Sequence, residues 1–145
     1  KEGGAPNFMV VAVKDAIGAN LDRVQIVKGW VDKSGKAQEQ IFNVVWAGDR
    51  QLDKNGKLTA IENTVDVKDA SWSNSVGAEQ LAVVWSDPDF DSTTPAFYYV
   101  RVLEIPTPRW TAYDQKRYGS EMPKEVPMTT QERAYTSPIW YQVTQ

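Results

Sequence analysis

The chain has 145 residues, which fits a single domain over residues 1–145 and is enough to bury a hydrophobic core without disulfides. It contains no cysteine and no histidine, which excludes disulfides, thiolate nucleophiles, the commonest zinc ligands and the commonest general base. The net charge of −3 argues against a nucleic-acid partner, and the longest apolar run, residues 8–13, is too short to span a membrane.

The first half of the chain predicts three β-strands. Residues 7–13 form an apolar run that is short for a helix. Residues 23–31 alternate apolar and polar side chains, and residues 39–47 return after a turn at residues 32–36. The second and third strands therefore form the clearest hairpin in the sequence.

Two later stretches predict strands at the centre of a sheet. Gln80–Trp85 and Phe97–Ile105 are apolar on both faces, which is typical of strands that are covered on both sides. The two prolines that follow the second stretch end it, because proline cannot donate a ladder hydrogen bond. Residues 64–67 and 70–74 give weaker patterns, and we expect edge strands there.

The last third of the chain combines a long proline-rich flap with a final strand. Residues 106–133 carry four prolines and contain the one helical pattern, at residues 112–118. Residues 134–143 predict a strand that Pro138 confines to an edge or a bulge. Short strands separated by turns predict an all-β fold, an antiparallel two-sheet β-sandwich with an immunoglobulin-like count of about seven strands.

Alternation within the strands predicts which side chains fill the space between the two sheets. We expect the following residues to lie mostly in that core: Val24, Ile26, Trp30, Val44, Trp46, Val83, Trp85, Tyr99, Leu103 and Ile139. Arg101 lies on the predicted central strand, between Tyr99 and Leu103. A charge buried there needs a carboxylate partner, or the side chain must emerge at the rim of the sheet. A structural salt bridge is the expected outcome.

An acidic loop is the candidate metal site. Asp87, Asp89 and Asp91 alternate along the chain, and carboxylates at this spacing can wrap oxygen ligands around Ca²⁺. The glycine and the glutamate of an EF-hand loop are missing from the corresponding positions. The alternative is an acidic turn whose side chains accept hydrogen bonds from backbone amides. No other cofactor is expected for this chain.

An aromatic and basic cluster in the flap is the candidate binding surface. Arg109, Trp110, Tyr113 and Tyr118 lie close together in the sequence. Such rings could stack on sugars, as in carbohydrate-binding β-sandwiches. We expect instead that the flap is ordered and docks another domain, since Trp, Tyr and Arg are the usual anchors of protein interfaces. The basic residues interleaved with the rings should leave them partly exposed. Packing of the rings in the core is the remaining alternative.

Three stretches carry a family resemblance. They are Gly18–Trp30 (GANLDRVQIVKGW), the acidic loop with Ala96–Trp110 (AFYYVRVLEIPTPRW), and Gln131–Tyr141 (QERAYTSPIWY). Together they resemble the C-terminal region of a bacterial family catalogued as domain-of-unknown-function family 3604. The resemblance extends over nearly the whole chain.

Full-length members of that family look like exported proteins whose N-terminal part is similar to PHP-type metal-dependent hydrolases. Their histidine ligands have no counterpart here, because the chain has no histidine. The resemblance implies a noncatalytic C-terminal accessory domain, cut from a longer periplasmic or secreted protein whose catalytic-like N-terminal domain is its partner and uses a divalent metal. The alternative is an autonomous carbohydrate-binding module, and an independent enzyme is a remote third option.

Overall fold

The computed structural model describes residues 4–143. It is mostly β, with antiparallel strands and one short helix, so the predicted fold class is confirmed. The elements are β1 (Asn7–Val13), β2 (Leu21–Val31), β3 (Ala37–Trp46), β4 (Gln80–Ser86), β5 (Ala96–Glu104), β6 (Thr107–Pro108), α1 (Trp110–Tyr118), β7 (Thr129–Thr130), β8 (Arg133–Tyr135) and β9 (Ile139–Tyr141). Several of these strands are very short, which is why the number exceeds the predicted seven.

The main sheet has five strands in the order β3-β2-β5-β8, with β9 also paired to β5. The β2–β3 hairpin forms as predicted, with Val31 opposite Ala37 next to the turn. Strand β5 lies inside the sheet, because β2 pairs with one edge while β8 and β9 share the other. Its predicted central position is therefore confirmed.

The second layer is a two-stranded antiparallel ribbon, β1–β4. Alternation points Phe8, Val10, Leu81 and Trp85 towards the main sheet, where they pack on residues such as Val24. The side of the main sheet that faces this ribbon is called the inner face, and the opposite side the outer face. The prediction that Gln80–Trp85 is a central strand is wrong, because within residues 4–143 β4 pairs with β1 alone.

The predicted edge strands at residues 64–67 and 70–74 are also absent from the described part of the chain. This region has only an isolated bridge between Asp66 and Ser71. Side chains here accept hydrogen bonds from nearby backbone amides: Asn63 from Val65, and Asp66 from Lys68. Such local bonds compete with a strand ladder and favour turns.

The predicted core is confirmed in its centre, but Ile139 does not lie in it, and neither does Tyr99, which is on the outer face of the main sheet. Val24, Ile26 and Leu103 are almost fully buried, and most of the other predicted residues are partly buried. Ile139, however, is 57% exposed, because the short β9 lies at the sheet edge. Tyr98, which was not on the predicted core list, is fully buried between the layers.

Asp22 links three parts of the chain at the end of the main sheet. Its side chain is fully buried and is paired with Arg23 and with Arg50, at 2.6 Å for the latter. Gln131 donates a further hydrogen bond to the same carboxylate. Strand β2, the loop after β3 and the segment before β8 are therefore fixed around one charge.

Asn20 fixes the loop that leads into β4. Its side-chain amide donates to the carbonyl oxygens of Asn74 and Val76, and its backbone carbonyl accepts from Ile105. Gly77 adopts a positive φ of 83° against Asn20, where an added Cβ would meet the Asn20 Cβ at 2.6 Å. A side chain at position 77 would therefore be both strained and crowded.

The segment between β5 and β8 is structured. The predicted helix is present as α1, and Gly119 ends it in the left-handed conformation. Thr111 is buried and donates to the carbonyl of Pro127, which holds the helix against the returning chain. Within residues 4–143, no helix is long and apolar enough to cross a bilayer.

Candidate functional site

The three aspartates of the predicted calcium loop have separate partners. The Asp87 carboxylate is buried, 2.5 Å from Lys28 Nζ, and accepts a 2.7 Å hydrogen bond from the Tyr98 hydroxyl. Asp89 accepts from the Gln40 side chain. Asp91 accepts from the backbone and hydroxyl groups that follow it.

These contacts match the alternative account of an acidic turn. Hydrogen bonds from the Thr93 side chain and backbone and from Thr94 lower the pKa of Asp91 to about 2. Within the residues that the structure describes, no group of three or more acidic side chains is arranged to hold a metal ion. The Ca²⁺ site stays an untested prediction, and the geometry of Asp87 argues against it, because an ammonium group already neutralises that carboxylate.

A small cavity of about 120 Å³ lies beside this loop, between Lys28, Trp30 and Tyr98. Lys28 Nζ also donates to the backbone carbonyl of Asp89 and lies 5.3 Å from the centre of the Trp30 ring. Burial, followed by the hydrogen bond to Asp87, raises the pKa of Tyr98 above its usual range. The Tyr98 hydroxyl therefore keeps its proton and donates it to the Asp87 carboxylate in a hydrogen bond.

The predicted aromatic and basic residues of the flap lie on α1 and at its start. Trp110, Tyr113 and Tyr118 are all exposed. The guanidinium of Arg109 lies 5.7 Å from the centre of the Trp110 ring, close enough for a cation–π contact. The helix thus presents rings with cationic neighbours to solvent, and the core alternative does not hold for these three rings.

Arg101 does not have the predicted carboxylate partner. Its Nε donates a 2.8 Å hydrogen bond to Gln25, whose amide in turn donates to Asn43. This row crosses three strands on the outer face of the main sheet. No ion pair joins Arg101 to an acidic residue in the described range, so the salt-bridge prediction is wrong: a neutral amide oxygen takes the place of the carboxylate.

The outward side of the β1–β4 ribbon is an apolar surface that the sequence analysis did not identify. Met9, Val11, Val13 and Val84 are between 57% and 80% exposed. Met9 lies directly opposite Val84 in the ladder, so the side chains form one continuous patch, here called the ribbon patch. A signal was available, because residues 8–13 are apolar at every position, so both sides of the predicted strand carry apolar side chains.

The outer face of the main sheet carries two aromatic pairs. Phe97 and Trp140 have ring centres 5.2 Å apart, and Tyr99 and Tyr135 have ring centres 6.2 Å apart. These four residues are here called the aromatic strip. Gly29 allows the Phe97 ring to lie on the backbone of β2, since an added Cβ would meet that ring at 2.3 Å.

A groove of about 630 Å³ opens at the Phe97–Trp140 end of the aromatic strip. Its walls are mainly apolar, and Gln38 and Glu39 supply polar groups at its border. This combination of an aromatic floor and a few polar groups is typical of a small-molecule or oligomer site. Sequence reasoning missed it because the pairs join strands that are far apart in the chain.

Glu104 lies in a separate cleft of about 380 Å³ at the end of β5, with Glu132 and Asp15 among its walls. Burial and, to a smaller extent, these two acidic neighbours raise the pKa of Glu104 above its ordinary value of 4.5. A carboxyl group with this shift is harder to ionise in the folded than in the unfolded chain, so ionisation destabilises the fold as the pH rises through the unfolded value.

We therefore expect Glu104→Gln to raise the melting temperature near pH 7 and to leave it unchanged near pH 3, where both states are protonated. Thermal unfolding followed by circular dichroism at the two pH values tests this. Glu121→Gln is the control, because Glu121 is exposed. Equal melting temperatures for Glu104→Gln and the unsubstituted chain near pH 7 would contradict the prediction.

Comparison with known proteins identifies a family. The chain matches the family model described as Protein of unknown function (DUF3604) over residues 1–143. No curated protein and no solved structure matches it. The family predicted from the three sequence stretches is confirmed, and the chain belongs to the DUF3604 family.

Proposed function

We propose that the chain is a noncatalytic β-sandwich module that packs against, and supports, the metallohydrolase-like part of a longer exported protein. The observation that carries this proposal is the ribbon patch. Soluble domains rarely leave such a continuous row of large aliphatic side chains in water, and rows of this kind mark interaction surfaces.

Energetics favour a partner on the ribbon patch. Full burial of a valine or methionine side chain contributes about 1.5–3 kcal/mol. Val84 and the three β1 residues of the patch could together supply several such contributions. Their burial would leave the core unchanged, because their neighbours in sequence already point into it. The partner surface would have to be flat and apolar.

Chemistry supports a noncatalytic role. The sequence has no histidine or cysteine, and the most deeply buried charged groups are engaged with one another, Lys28 with Asp87 and Asp22 with two arginines. Each of them has a partner that stabilises the fold. We infer that any metal and any bond-breaking chemistry belong to the other part of the longer protein.

The test uses the longer protein and the double substitution Val11→Lys with Val84→Lys. Two ammonium groups in an apolar contact should weaken binding of the separately produced chain to the remainder of the protein at least about 30-fold, since unpaired charges are costly to bury. Isothermal titration calorimetry measures the affinity. The melting temperature of the isolated chain should barely change, because both valines are already exposed.

Val31→Lys is the matched control, because Val31 is a strand valine exposed to 58%, close to the 57% of Val11, but lies on β2 outside the patch. It should leave binding unchanged. A further arm, Trp110→Ala with Tyr113→Ala, asks whether α1 contributes to docking, as the sequence predicted. Unchanged affinity of the Val11 and Val84 double variant, or equal loss with Val31→Lys, would overturn the proposal.

A further inference from the structure

The geometry points to a second binding surface: we propose that the aromatic strip and Arg101 bind a saccharide chain that carries a carboxylate. This inference is independent of the proposed docking role. The ribbon patch lies on the outward side of β1–β4, whereas the aromatic strip lies on the opposite, outer face of the main sheet.

The rings of the strip are available to a ligand. Trp140 is 66% exposed and Tyr135 is 57% exposed, and each leans on a partly buried ring of β5. Phe97 and Tyr99 are two positions apart and lie on the same face of that strand, so the two pairs follow each other along the sheet. The faces of such rings can pack on the C–H faces of sugars while leaving the hydroxyl groups of the sugars free for hydrogen bonds.

Hydrogen-bonding groups border the rings at both ends. Arg101 is the next outward residue of β5 after Tyr99, and it lies opposite Tyr135. Gln38 and Glu39 lie at the other end, beside the groove. Arg101 comes four positions after Phe97, which corresponds to about 13 Å along a strand, so the surface suits a ligand of several linked rings.

The charge distribution selects an acidic ligand and its orientation. Only the Nε of Arg101 is used, by Gln25; within residues 4–143 its two terminal nitrogens have no hydrogen-bond or ion-pair partner in the protein. A guanidinium with free terminal nitrogens matches a carboxylate through two parallel hydrogen bonds. Glu39 lies opposite Gly29, at the far end, where it would repel a carboxylate and accept hydrogen bonds from hydroxyl groups instead.

A peptide is a weaker fit to this surface. Peptides that add a strand need an open sheet edge, whereas the strip is on a sheet face and the edge of β5 is occupied by β8 and β9. A proline-rich peptide could use an aromatic groove, but it would not use the free guanidinium. We therefore commit to an acidic saccharide.

Calorimetric titration of the chain with oligogalacturonate, and with a neutral cello-oligosaccharide of equal length, tests the proposal. We expect the acidic oligomer to bind, and more tightly than the neutral one. Trp140→Ala should weaken binding by up to about tenfold, and Arg101→Gln by at least about tenfold. The loss through Arg101→Gln should shrink at high salt, because screening acts on the charge pair and not on the stacked rings.

Trp110→Ala is the matched control, because Trp110 is exposed to 62% and carries an arginine neighbour but lies on α1. It should bind like the unsubstituted chain. Arg101→Lys keeps the positive charge but loses the planar guanidinium. It should therefore bind the acidic oligomer more tightly than Arg101→Gln and less tightly than the unsubstituted chain. Near-ultraviolet circular dichroism shows that each variant is folded.

Several outcomes would overturn the proposal. One is the absence of binding to either oligomer. Others are equal binding of the neutral oligomer with no effect of Arg101→Gln, or an equal loss with Trp110→Ala. Preferential binding of a proline-rich peptide, or concentration-dependent self-association that Trp140→Ala abolishes, would assign the surface to a different occupant.

Discussion

Replacing Asp22 with alanine is expected to lower the free energy of unfolding by about 3–5 kcal/mol, the usual cost of removing one partner of a buried ion pair. The Asp22 side chain is fully buried, whereas Arg23 and Arg50 are mostly buried around it. Without the carboxylate, two guanidinium groups remain close together without a counter-charge, and Gln131 loses an acceptor. Urea denaturation with a two-state fit measures the change.

Asp69→Ala is the control for this measurement. Its carboxylate lies 3.9 Å from Lys116 Nζ, and both side chains are more than half exposed. Exposed pairs of this kind contribute about 1 kcal/mol or less. Asp22→Asn should fall between the two, because the amide keeps the shape and one acceptor but loses the charge. A loss below 1 kcal/mol for Asp22→Ala would show that the arginines find other partners.

Lys28→Met is expected to have an effect of the same size, about 3–5 kcal/mol, because it leaves the Asp87 carboxylate buried with two neutral donors, the Tyr98 hydroxyl and the Asp89 amide, and no counter-charge. For a chain of this length, the melting temperature should fall by roughly 10 °C or more. The double variant Lys28→Met with Asp87→Asn should lose less than the sum of the two single variants, since it removes both charges together.

The melting temperature in the presence of Ca²⁺ decides between the two accounts of the acidic loop. If Lys28 neutralises Asp87, millimolar Ca²⁺ or a chelator should leave the melting temperature of the unsubstituted chain unchanged. A ligand that binds only the folded chain raises its stability. A rise with Ca²⁺ that Asp91→Asn or Asp89→Asn abolishes would therefore establish the metal site and contradict the structural account of the loop.

Local sequence signals were sufficient for the main hairpin and for the central strand. The turn at residues 32–36 is held by Asp32, whose carboxylate accepts from Ser34 and Lys36, so both its position and its type are encoded in a few neighbouring residues. Strand β5 combines β-branched and aromatic residues with two prolines that end it. In both cases, the residues that favour strands and the residues that end them predict the same boundaries.

Pairing between distant strands could not be predicted in the same way. Gln80–Trp85 is apolar on both faces, and that pattern suits a covered central strand as well as a ribbon with an exposed apolar side. Sequence alone cannot show which side is covered, because coverage depends on the partner layer. The prediction failed at β4 for this reason, and the ribbon patch was missed with it.

The candidate site shows the same division. Exposure of Trp110 and Tyr113 followed from the basic residues interleaved with them, and the helix bears it out. The aromatic strip depends on contacts between β5 and the last two strands. Trp140 gives no local sign that it will meet Phe97, since that contact is fixed by register and not by composition.

The shared edge of β5 has a consequence for self-association of the chain into fibres. Between β8 and β9 the ladder is interrupted, and Thr136 fills the gap: its hydroxyl accepts from the Val100 amide and its own amide donates to the Val100 carbonyl. Long, flat sheet edges template the addition of strands from other molecules, whereas short and broken ones do not. The edge therefore offers another molecule no continuous row of free backbone groups. It consists of two three-residue strands with a side-chain hydrogen bond between them, and Pro138 comes directly before β9. We infer that this edge of the sheet is a poor template for amyloid-like polymerisation.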